Sequence, residues 1–130
     1  MSARSRKALD ELRAFALDLP GAFEDDPWGH EPVVKVGKKI FVFLGSEDSP
    51  SITVKLPDSA DQALDLPGAV PSGYGLGRHG WVTAPVGAKG PSRGVAEDWI
   101  EESYRAIAPK KLVAELDGRR ATGSARGGHS

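Results

Sequence analysis

This 130-residue sequence predicts a single α+β domain: an antiparallel sheet of about five strands with helices on one face. Three observations predict it. Apolar residues recur at helical spacing near both ends of the chain. Short β-branched and aromatic runs lie between those ends. Most of the runs follow one another through turns too short to hold a helical crossover, which makes their pairing antiparallel. The expected order is α-βββ-α-ββ-α.

Residues 5–18, SRKALDELRAFALD, read as the first helix. Ala8, Leu9, Leu12, Phe15, Ala16 and Leu19 form one apolar stripe, and Pro20-Gly21 stops it. The acidic EDDPWGHEP reads as a loop, with Trp28 as its anchor on the core. In VVKVGKKIFVFL, Val33 to Val36 and Ile40 to Leu44 read as two strands, with Gly37-Lys38 as the tight connection between them. SITVKL alternates, with Ile52, Val54 and Leu56 on one face and Thr53 and Lys55 on the other.

Pro57-Asp58 opens a short helix in DSADQALDL. AVPSGYGLGRHG reads as a loop with a short strand at Tyr74 to Leu76, and WVTAPV is the strand that follows. The strongest helical signal is VAEDWIEESYRAIAPKKLVAELD. Val95, Trp99, Ile100, Ser103, Ile107, Leu112 and Leu116 mark its buried side, Pro109 kinks or splits it, and Gly118 ends it. GRRATGSARGGHS has no core-forming residues and reads as a disordered tail. The domain is expected over residues 1–117, with a basic arm at 1–7 and a basic tail at 118–130.

The net charge of −1 conceals an asymmetry, because residues 8–117 carry 11 basic residues against 18 acidic ones, a formal −7. An acidic body with basic ends differs from the basic stripe of most nucleic-acid binders, although a local patch can still be basic. The absence of cysteine excludes disulfides and thiolate chemistry. It fits a cytoplasmic protein, as does the lack of an apolar run after the basic N-terminus. No run reaches the roughly eighteen apolar residues of a membrane span. No cofactor, metal or membrane contact is expected, and a monomer is.

GYGLGRHGWV contains a literal G-x-G-x-x-G-x-V. A dinucleotide fold needs a strand before that string and a helix after it, whereas a strand pattern follows here. The other kinase motifs are missing. The glycines therefore read as a tight turn with close backbone approach. His30 lies beside Glu31 and near Asp25 and Asp26, a grouping that suits a general base or a metal ligand but reads better as a solvated turn. There is no H-E-x-x-H, G-x-S-x-G or Walker A string. Lys35, Lys38 and Lys39 lie on or at the first hairpin and Lys55 on the third strand, while Arg78, His79 and Lys89 flank the last strands. Hairpin lysines serve either to grip phosphates or to keep sheet edges from aggregating.

VVKVGKKIFVFL, SITVKLP, the Tyr74–Trp81 loop leading into WVTAPV, and WIEESYRAIAPKKL resemble, in this order and spacing, the MmcQ/YjbR family of small bacterial proteins. Lys39, Lys55, Trp81 preceded by Arg78-His79, and Ser103-Tyr104 followed by Lys110-Lys111-Leu112 carry the resemblance, which covers roughly residues 8–116. It implies a fold like that of the frataxin-like CyaY proteins, and it implies duplex DNA binding through two hairpin wings. Many members carry a more basic stretch before the tryptophan than the glycine-rich one found here.

Two functional readings follow. In the first, Lys38, Lys39, Lys55, Arg78 and His79 contact the phosphates of double-stranded DNA, with Trp81 and Tyr74 supporting or stacking. In the second, the sheet face around Trp81, Tyr74 and His30 binds a small molecule or a partner protein. An enzymatic reading has His30 or His79 as a base, and no residue is singled out as catalytic.

Overall fold

The computed structural model describes residues 3–26, 29, 32–45, 50–72, 80–87 and 90–127, with the side chains of 3–5 and 121–127 excepted. The elements run α1 (Ala3–Leu17), β1 (Ala22–Asp25), β2 (Val33–Val36), β3 (Lys39–Leu44), β4 (Ser51–Lys55), α2 (Ala60–Leu64), β5 (Val70–Pro71), β6 (Trp81–Pro85), α3 (Arg93–Ile107) and α4 (Lys110–Gly127). Six antiparallel strands form one open sheet in the order β1-β2-β3-β4-β6-β5.

Period-two alternation sorts the two faces of the sheet. Val34, Val42, Leu44, Ile52, Val54, Val82 and Ala84 are buried in one core with Leu12 and Ala16 of α1 and Ala96, Trp99, Ile100 and Tyr104 of α3. Phe43, Thr53, Lys55, Trp81 and Thr83 alternate with these and are half-buried. The stripe expected for the first helix holds: Leu12, Ala16 and Leu19 are buried, and Leu9 and Phe15 pack against the core.

Several elements differ from expectation. The acidic loop begins with a strand, β1, which pairs Ala22–Asp25 with Val33–Val36. Its sequence, AFED, lacks a β pattern. It is an edge strand held by ladder bonds to β2, following a turn in which Gly21 takes φ +73. The short strand before β6 is Val70–Pro71, and Tyr74 to Leu76 lie outside the described residues, as does Trp28. A proline is tolerated there because β5 is an edge.

Pro109 splits the last helix as expected, since the preceding Ala108 is extended at φ −67, ψ 150. Gly118, however, does not end it: α4 continues to Gly127, where an unstructured tail was expected. Arg119 donates to the carbonyl of Asp18 at 2.7 Å, and Arg120 pairs with Glu101, so the helix beyond Gly118 is tied to the turn after α1 and to α3. Val95, expected to be buried, is 40% exposed. It lies in the first turn of α3, where its amide donates to the capping Ser92 and Ala96 takes the core position.

Candidate functional site

The site begins with the β2–β3 hairpin. Val36 pairs with Lys39, so Gly37-Lys38 is a two-residue connection, and Gly37 supplies the left-handed conformation at φ +64. Val34 faces Val42 but Lys35 faces Ile40, which leaves Phe41 as an extra, bulged residue on β3. Its ring is buried edge-on against Tyr104, with centroids 5.3 Å apart. Tyr104 in turn donates to the Pro20 carbonyl at 2.6 Å, and burial pushes its phenol above the ordinary range.

The pairing of β3 with β4 stops at Val42–Val54. The next pair in register would be Phe41 with Lys55. A side chain of α3 stands there instead: the fully buried Ser103 hydroxyl accepts from the Lys55 amide at 2.9 Å and donates to the Phe41 carbonyl at 2.5 Å. On its other side β4 stays paired, with Lys55 opposite Trp81 and the Leu56 amide donating to Gly80 at 2.8 Å.

Between the hairpin and the β4–β6 end lies an open depression of about 560 Å³, lined by Lys35, Lys38, Lys39, Ile40, Lys55, Trp81, Ala106 and Ile107. Four of the eight lining residues are lysines, so its charge is positive on a net acidic chain. Lys35 is neutralised, because its ammonium bonds Asp25 at 3.0 Å and holds that carboxyl below the usual carboxylate range. Among the described residues, Lys38, Lys39 and Lys55 have no carboxylate partner. The half-buried Trp81 ring meets Phe43 edge-on at 5.7 Å, which fixes the indole at the rim.

Lys38, Lys39, Lys55 and Trp81 thus line one depression. His30, Tyr74, Arg78 and His79 lie outside the described residues; Arg78 and His79 precede Trp81 in the chain by three and two positions. Gly80, the last glycine of the GxGxxG string, leads into a strand and not a helix. It takes φ +86, and a Cβ there would stand 3.3 Å from the Leu56 carbonyl oxygen. For this position the turn and close-approach reading holds.

Sequence reasoning missed the walls formed by Ile40, Ala106 and Ile107, and it missed the Ser103 bridge. The signal for the bridge was a serine on the buried stripe of a helix, since a buried hydroxyl must find partners. A second concavity, beside α1, contains Arg6, Asp10 and Arg13, but Arg13 is taken up by Asp10 at 2.6 Å and Glu24 at 3.5 Å.

These features define a class: an α+β protein with helices on one face of an open antiparallel sheet and a lysine-rich depression at one end of it. The family model named YjbR matches residues 17–106, and the chain belongs to that family. The match includes Lys38, Lys39, Lys55, Trp81 and Ser103. No curated protein sequence matches the chain. No helix among the described residues is long and apolar enough to cross a membrane.

Proposed function

We propose that the protein grips the phosphate backbone of duplex DNA with the β2–β3 hairpin and the end of the β4–β6 ladder. One observation carries this reading: Lys38, Lys39 and Lys55 share a depression without a carboxylate partner among the described residues. Lysines that need break no ion pair can neutralise phosphates and release condensed counterions. The hairpin tip projects Lys38 and Lys39, both exposed, toward a ligand too large to enter the molecule. Arg78 and His79, which lie outside the described residues, belong to the same proposal as phosphate contacts. Contacts of this kind position a duplex without reading its sequence.

The test is fluorescence anisotropy of a labelled random duplex titrated with the full chain at two salt concentrations. A log–log salt slope of roughly −2 to −3, as expected for two or three phosphate contacts, supports the reading. Absence of binding at low salt removes it.

A second reading rests on the apolar part of the lining. Trp81, Ile40 and Ile107 stand beside the lysines, and about 560 Å³ falls within the roughly 300–1,000 Å³ typical of small-molecule sites. A small anion with an apolar or aromatic body fits that mixture. It would quench or shift Trp81 fluorescence and would bind with a weaker dependence on salt.

A further inference from the structure

Ser103 is fully buried and lines no part of the depression, yet it occupies the place where β3 and β4 separate. In an antiparallel ladder the Lys55 amide would donate directly to the Phe41 carbonyl, one residue beyond the last pair at Val42–Val54. The Ser103 hydroxyl is inserted into that bond, accepting from one strand and donating to the other. Both of its hydrogen-bonding roles are used, and the residue is fully buried, so no water competes for either. A direct amide–carbonyl bond spans about 2.9 Å, whereas here the two groups are joined through an intervening oxygen at 2.9 and 2.5 Å. The strands are therefore held apart at the end where Lys39 and Ile40 line one side of the depression and Lys55 the other.

We infer that Ser103 is the positioning residue of this site: its hydroxyl wedges the hairpin away from β4 and sets the spacing between Lys39 and Lys55. The inference rests on the phosphate-gripping reading for its ligand, but the wedge itself is testable without one. Removing the hydroxyl lets the Lys55 amide and the Phe41 carbonyl close on each other, and the depression narrows.

The experiment compares the full chain with Ser103→Ala, Lys55→Gln and the double variant. NMR on the free proteins is expected to give new cross-strand contacts between residues 41 and 55 in Ser103→Ala, with the rest of the sheet unchanged. Duplex titration is expected to show Ser103→Ala binding roughly tenfold more weakly with a salt slope smaller by about one, the signature of one lost phosphate contact. The double variant should lose little more than either single one, because both remove the same contact. Should Ser103→Ala fail to fold, Ser103→Cys puts a larger atom with a weaker donor in the same place, so residues 41 and 55 should stay apart or move further apart, and their closing on each other in that variant overturns the wedge. Unaltered strand spacing in a folded Ser103→Ala overturns the wedge. Binding that drops with Lys55→Gln but is unaffected by Ser103→Ala overturns the positioning role and leaves the phosphate reading standing. If the unaltered chain binds no duplex, the phosphate reading fails, and the NMR comparison still decides the wedge.

Discussion

Lys55 and Trp81 stand directly opposite one another at the end of the β4–β6 ladder, which puts an ammonium without a carboxylate partner among the described residues beside a half-buried indole. A ligand phosphate held by Lys55 lies within reach of that ring. Tryptophan emission is therefore expected to change as duplex is added, and the change should vanish in Trp81→Phe while Trp99, buried in the core, continues to emit. A response that survives in Trp81→Phe places the ligand elsewhere.

Lys39→Gln and Lys55→Gln are each expected to weaken duplex binding roughly tenfold, for every sequence alike, and to reduce the salt slope by about one. Lys7→Gln, at an exposed position of α1 outside the depression, is the control and should change little. Equal losses for all three would mean a diffuse charge effect with no site.

Gly80→Ala tests the meaning of the glycine string. At φ +86, with a Cβ 3.3 Å from the Leu56 oxygen, alanine should cost about 1–2 kcal/mol in a denaturant titration. An unchanged midpoint would mean that this turn has no need of glycine.

Tyr104→Phe removes the donor to the Pro20 carbonyl and should cost about 1–2 kcal/mol. Burial raises the phenol's pKa above 10.0 in the folded chain, so the stabilising difference is fully present below pH 10.0. It is lost as pH rises through the higher folded-state value. Stability measured from pH 8 upward should fall above about pH 10 in the unaltered protein, and less steeply in Tyr104→Phe.

Glu102 anchors the approach to α2. Its carboxylate accepts from the Asp58 amide at 2.8 Å, the Ser59 amide at 3.0 Å and the Ser59 hydroxyl at 2.7 Å. Glu102→Ala should cost about 1–2 kcal/mol, and Glu102→Gln, which keeps one acceptor oxygen, should cost less. Thermal melts of the two variants check the order.

The parts of this fold that were legible in the sequence are those governed by periodicity. The α1 stripe, the Gly37-Lys38 hairpin and the alternation of β4 follow from spacings of 3.6 and 2 residues. The parts that were not depend on partners far along the chain. AFED becomes a strand because β2 offers it a ladder, and its own composition gives no hint of that. The helix passes Gly118, a residue costing about 1 kcal/mol relative to alanine, because Arg119 and Arg120 bind the turn after α1 and helix α3. Tyr104 takes a core place that the sequence reading had not given it, while Val95 turns outward.

The candidate site divides in the same way. Its lysines and Trp81 stand out by residue type. Their convergence does not, because it rests on a serine 48 positions from Lys55 inserted between two strands.

The phosphate grip is tested most directly by mapping duplex binding on the ¹⁵N-labelled full chain by NMR at moderate salt. Shifts are expected to concentrate on Lys35 to Ile40, Lys55, Trp81 and Ile107, with the ends of the chain little affected. Shifts confined to Arg6, Lys7, Arg119 and Arg120, with Lys39 and Lys55 unmoved, would contradict that grip and assign any affinity to the basic ends alone.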